Sequence, residues 1–273
     1  MSDKMTRLQD DQNISSRPFD MSGRRGLILG VANHRSIAWA IAQTARQCGA
    51  SVGIGVLDER AASKALPLVE GDDLSFIAQC NVQDDHQIDR LVGMAEREWG
   101  RIDFLVHSLA FAQLEDLRAP ISAASRRGFL EAFEVSAHSL LRLSNRCGPL
   151  FSSDAAIVTL SYLGAEIAIP SYGLMGPVKA ALEAEVRYLA AELGASGIRV
   201  NAVSAGPLKT LAASALPGFR QQLKSVGETT PLKRGVTHSE VANAALFLCS
   251  PLSSGITGEV LHVDAGQHAV REL

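Results

Sequence analysis

The sequence predicts a doubly wound α/β fold, a parallel sheet of seven strands with helices on both faces. Three observations carry that expectation. Short apolar runs recur along the chain, helical stripes lie between most of them, and no linker-like composition interrupts the alternation from about residue 20 onward. Strands buried on both faces read as continuous apolar runs, and repeated β-α-β crossovers of one hand stack such strands in parallel. With 273 residues, 47% of them hydrophobic, the chain can fill one large core without disulfide staples.

Residues 1–19 are polar and mixed in charge, with no apolar stretch of the kind a secretory signal needs, so they read as a disordered tail ahead of one domain over residues 20–273. Strands are expected at Gly26–Val31, Ser51–Val56, Leu74–Gln79, Phe104–Ser108, Ala155–Ser161, Arg199–Ser204 and Val260–Asp264. Ile37, Ala38, Ile41, Ala42 and Ala45 form one helical stripe, stopped by Gly49. Ile88, Leu91, Val92, Ala95 and Trp99 form another. Pro177 suits the first turn of a helix, which places Tyr172 at or just before the helix start and Lys179 inside it. Leu211 to Thr230, which begins LAASALPG, fits either a mobile lid or an ordinary surface helix.

Charge and composition exclude several functions. There are 26 Lys and Arg against 29 Asp and Glu, a formal charge of −3 that makes no electrostatic case for nucleic acid or an acidic membrane surface. No apolar run approaches the roughly 18 residues of a membrane span, and a cytoplasmic protein is expected. Cys48, Cys80, Cys147 and Cys249 lie far apart and read as free thiols. The seven histidines show no ligand spacing, so no metal is expected.

In such a sheet ligands bind beyond the carboxyl ends of the strands, here Gly30, Leu57, Asn81, Ser108, Ser161–Tyr162 and Ser204–Pro207. After Gly30, the turn VANHR leads to a helix opened by Ser36 and Ile37, whose free N–H groups suit a pyrophosphate. Ser36 is also a good N-cap. The usual G-x-G-x-x-G is absent, and a plain capped turn fits as well. At the end of the second strand Asp58 and Glu59 would repel a 2′-phosphate, which leans to NADH. Arg60 keeps NADPH open, and a solvated helix start accounts for all three.

The chain has only three tyrosines, and two of them, Tyr162 and Tyr172, follow the fifth strand ahead of Lys179. A phenol can donate to a developing oxyanion, and a nearby ammonium can lower its pKa while gripping a ribose. Taken alone, the spacing also fits a buried tyrosine beside a surface lysine. Glu183, Glu185 and Arg187, further along the same helix, read as its solvated or subunit-facing surface.

The stretches GVANHRSIAWAIA, VHSLAFA, LSYLGAEIAIPSYGLMGPVKAALEAEVRYLAAELG, GIRVNAVSAGPLKTLAA and GITGEVLHVDAG together resemble the bacterial NAD(P)H-dependent enoyl-acyl-carrier-protein reductases of the short-chain dehydrogenase/reductase superfamily. The resemblance runs from about residue 20 to 268. Short-chain carbonyl reductases carry their acid in Tyr-x3-Lys; here that slot is Met175, and the tyrosine stands three residues earlier. The resemblance implies a Rossmann-like domain with a substrate-covering flap, and hydride transfer to an enoyl thioester on acyl carrier protein. Tyr172, Lys179 and Tyr162 would be catalytic. Gly30, Ser36, Ile37, Asn81, Val82, Leu109, Lys179, Leu208 and Thr210 would hold the cofactor, with Ala112, Tyr162 and Tyr172 at the acyl thioester. The resemblance also implies a homotetramer. Three positions depart from the pattern: Leu57 and Asn81 at the adenosine end, and Asp264-Ala265-Gly266 near the carboxyl end. A short-chain carbonyl reductase and a catalytically silent dinucleotide sensor stay open beside this reading. Arg126, Arg127, Lys224, Lys233 and Arg234 form a candidate surface for an acidic carrier protein.

Overall fold

The computed structural model describes residues 19–69, 75–210, 213 and 218–270. The expected tail therefore lies, apart from Phe19, outside the described residues. Seven strands form one sheet: β1 (Arg25–Leu29), β2 (Ser51–Val56), β3 (Phe76–Gln79), β4 (Ile102–His107), β5 (Phe151–Ser161), β6 (Arg199–Ala205) and β7 (Val260–Val263). Their order is β3-β2-β1-β4-β5-β6-β7 and every pairing is parallel, so the order reverses between β1 and β4. All the strands then end on one edge, and the switch between β1 and β4 opens the crevice in which such sheets bind ligands.

Side chains alternate across the sheet with a period of two. Leu27, Leu29, Leu105 and Ile157 face one core, which is covered by α3 (Asp85–Trp99), α6 (Ser139–Cys147) and α7 (Met175–Leu193). Ile28, Phe104, Val106 and Val158 face the other, under α1 (Ile37–Gln47), α2 (Glu59–Val69) and α9 (His238–Cys249). The first expected stripe is buried in α1 at Ala38, Ile41, Ala42 and Ala45, and the second in α3 at Ile88, Leu91 and Ala95. Among the described residues, no helix is long and apolar enough to cross a membrane.

Several strand bounds differ from expectation. β1 stops at Leu29, because Gly30 turns the chain at φ 103. β4 begins two residues before Phe104. β5 begins at Phe151, because Ser153 and Asp154 extend the strand while exposed and so break the apolar run that marked its start. Of the expected third strand, Leu74 lies outside the described residues.

The remaining helices are α4 (Leu114–Arg118), α5 (Arg126–Phe133) and α8 (Phe219–Thr229), with a π-helical turn over Glu134–His138 between α5 and α6. α8 occupies part of the expected lid and is anchored by buried Phe219 and Val226. Leu211, Ala212 and residues 214–217 lie outside the described residues.

Candidate active site

The crevice between β1 and β4 is built by close backbone approach. A Cβ on Gly30 would sit 2.1 Å from the Ser108 carbonyl oxygen, and its φ of 103 is strained for any other residue. Ser36 starts α1 but does not cap it with its side chain. Its hydroxyl turns back to accept from the amides of Ala32 at 3.0 Å and Asn33 at 3.1 Å, which corrects the expected cap. Among the described residues the amides of Ile37 and Ala38 find no acceptor, so the N-terminal end of α1 offers free donors beside a turn closed on itself. Free amides at a helix start fit the pyrophosphate of a dinucleotide.

At the end of β2, Leu57 is 58% exposed, and Asp58 spends one carboxylate oxygen on the amide of Ala61 at 2.7 Å, opening α2. Beyond β3 the side-chain oxygen of Asn81 accepts from Gln83 at 3.1 Å, and Val82 is buried. The polar side chains at this end thus have local work, and the free donors are the two amides at the start of α1.

The other end of the crevice is made of side chains, two half-buried phenols above a buried lysine and histidine. Two phenols stand above the end of β5, with the rings of Tyr162 and Tyr172 4.7 Å apart and inclined at 65°. Tyr172 closes a one-turn 3₁₀ helix, Pro170–Tyr172, just ahead of α7, as Pro177 implied. Gly164 lets the ring in: a Cβ there would meet Tyr172 Cδ1 at 2.5 Å. Burial, and behind it Tyr162 and Glu183, hold the Tyr172 phenol above the usual tyrosine range, so it is a protonated donor.

Lys179 is 4% exposed and donates to the Leu160 carbonyl at 2.7 Å. Burial pushes its amine down to about 8, against the pull of Glu183. His107, at the end of β4, lies between Thr159 Oγ1 and Ser139 Oγ, each at 2.8 Å. Burial, with the Lys179 ammonium beside it, pushes the imidazole down to about 3 and keeps it neutral. Met175, in the Tyr-x3-Lys slot, is 5% exposed and packed into the core under α7.

Known proteins share this plan. A family model described as Enoyl-(Acyl carrier protein) reductase matches residues 30–268. The chain belongs to the enoyl-acyl-carrier-protein reductase family. Among its relatives, the enoyl-[acyl-carrier-protein] reductase [NADH] FabI of a Nostoc species is 49% identical over 251 residues, spanning 91% of this chain and 97% of that protein. The corresponding reductase 1 of Rhizobium meliloti is 45% identical over 250 residues, 92% of each. The solved enoyl-[acyl-carrier-protein] reductase (NADH) of Aquifex aeolicus superposes with a TM-score of 0.88 at 40% identity, covering 93% of this chain and 99% of that one. A Bacillus cereus enoyl-acyl carrier protein reductase, solved with NADP+ and an indole naphthyridinone, gives 0.90 at 38%, covering 92% and 99%.

Part of the support beneath the predicted edge was not read from the sequence. Leu109 and Ala112 follow β4, and Phe111 between them is held at both its amide and its carbonyl by Ser136 Oγ, at 2.9 and 3.1 Å. Ser136 lies in the π-helical turn, a local widening that no periodicity in the sequence announces. Leu208 is buried beyond β6, and Thr210 Oγ1 accepts from Ala213 at 3.1 Å. Glu183 is a correction. It is neither solvated nor open to a partner subunit, being 6% exposed and taking a 2.5 Å hydrogen bond from Ser161 Oγ.

Proposed function

We propose that this protein is an NADH-dependent enoyl-acyl-carrier-protein reductase of fatty-acid synthesis that saturates the double bond of a trans-2-enoyl thioester. The observation that carries the reading is the pair of packed phenols, Tyr162 and Tyr172, over buried Lys179, with the alternative acid slot filled by Met175. A bound reduced nicotinamide supplies the hydride that adds at C3. Tyr172, held protonated, donates to the thioester oxygen as enolate charge builds there. Lys179 spends one N–H on Leu160 and keeps two for a ribose, while its charge favours the enolate. Tyr162 packs against Tyr172, and Ala112 and the two phenols serve the acyl thioester.

The free amides of Ile37 and Ala38 donate to the pyrophosphate, with Gly30 leaving room for it and Ser36 fixing the turn beside it, and Asn81, Val82, Leu109, Leu208 and Thr210 line the rest of the cofactor groove. Asp58 and Glu59 favour NADH over NADPH, since both put carboxylates at the ribose end. The segment Leu211–Thr230 covers the substrate. Arg126, Arg127 and Lys224 are exposed and suit an acidic carrier, whereas Arg234 is already paired with Glu240 at 2.6 Å. The protein works as a homotetramer in the cytoplasm.

The test follows NADH and NADPH oxidation with a crotonyl thioester, with a ketone, and with no second substrate. Oxidation that depends on the thioester and prefers NADH is expected. Turnover on the ketone alone would make the protein a carbonyl reductase, and cofactor binding without turnover on either would make it a sensor.

A further inference from the structure

Two consecutive residues at the end of β5 are tied to two consecutive turns of α7. Leu160 accepts from Lys179 Nζ at 2.7 Å, and Ser161 donates to Glu183 Oε1 at 2.5 Å. Lys179 and Glu183 are four residues apart, hence neighbours on one helix face, and are exposed by 4% and 6%. A buried lysine is costly unless an opposite charge accompanies it. A buried glutamate that accepts from a neutral serine hydroxyl has the same need. Nothing in the proposed chemistry uses Glu183.

We propose that Glu183 is a positioning residue, the buried counter-charge that keeps Lys179 an ammonium and, through Ser161, fixes the end of β5 that carries Tyr162. The proposal rests on the enoyl reductase reading for its effect on turnover, but not for its effect on Lys179 itself. Burial drives the Lys179 amine down, and Glu183 is the group that opposes it. His107 on β4 faces Lys179 and is neutral throughout the working range. Glu166 after β5, His262 on β7 and Arg187 on α7 act on Glu183, and His262 is itself bonded to Glu166 at 2.6 Å. Tyr162 and Glu183 both act on Tyr172. Burial raises Glu183, so its charge is lost first as pH falls, where the lysine is protonated in any case. The alkaline side therefore reports on the pair.

The experiment titrates the full chain with lysines carrying ¹³C at Cε, the Lys179 resonance being the one lost in Lys179→Met. Glu183→Gln keeps an acceptor for Ser161 Oγ and removes the charge. Its Lys179 midpoint is expected to fall by about one pH unit, and the alkaline limb of thioester-dependent NADH oxidation to move down with it. Glu183→Asp, which restores the charge, is expected to return the midpoint toward that of the parent. Should Glu183→Gln fail to fold, Ser161→Ala combined with Glu183→Met replaces both polar partners by apolar groups, a change that can be nearly neutral for folding, and the same fall is expected. A midpoint unmoved in the charge-removing variant overturns the proposal. A lowered midpoint in a protein that never turns over the thioester upholds it and overturns the enoyl reductase reading instead.

Discussion

The two ends of the crevice are built on opposite plans. At the proposed adenosine end, Ser36, Asp58 and Asn81 hold the chain in shape with their side chains, and the free donors are the amides of Ile37 and Ala38 at the start of α1. At the reacting end side chains carry the chemistry: the half-buried phenol of Tyr172 stands with buried Lys179, His107 and Glu183, and desolvation is the largest influence on the protonation of each. Backbone donors are indifferent to the residue that carries them, so the first plan tolerates a missing glycine motif and a change of side chain at Asn81. The second plan tolerates little, because each buried polar group depends on the next.

Each half contains one glycine that makes room, and substituting the two should separate the plans. Gly164→Ala places a methyl 2.5 Å from the Tyr172 ring. Displacing that phenol should lower turnover on the order of a hundredfold while NADH affinity, measured by fluorescence titration, is kept. Gly30→Ala imposes a strained φ and a clash with Ser108. It should remove about 1–3 kcal/mol of stability, read as a fall in Tm of about 2–12 °C, and weaken NADH binding as well. Ser36→Ala frees the amides of Ala32 and Asn33 and should cost about 1 kcal/mol, with a drop in Tm of about 2–4 °C. Asn81→Asp should be the mildest, within about 0.5 kcal/mol in stability, with NADH affinity nearly unchanged. A large loss in Asn81→Asp would show that the adenosine end depends on side chains after all.

The sequence revealed the fold and the edge more readily than the supports beneath them. Seven apolar runs marked seven strands, and the stripes of α1 and α3 were visible because one face of each helix is buried. Pro177 located the start of α7 and so the place of Tyr172. The start of β5 was hidden because pairing with β4 draws polar Ser152–Asp154 into the strand. Ser36 looked like a helix cap because serine usually is one, and only the folded turn shows where its hydroxyl points. Glu183 was hidden for a more general reason. A glutamate on a helix is exposed in most proteins, and its burial here depends on Ser161, 22 residues away in the chain.

The central claim is that Tyr172, not a residue in the Met175 slot, stabilises the charge that develops on the substrate. Tyr172→Phe keeps the ring that packs on Tyr162 and removes the donor alone. The direct measurement is its kcat on the crotonyl thioester beside the parent's, with the NADH dissociation constant determined for both. A loss of roughly a hundredfold or more in kcat with cofactor affinity kept is the expected result, and reduction of the thioester at the full rate would contradict it.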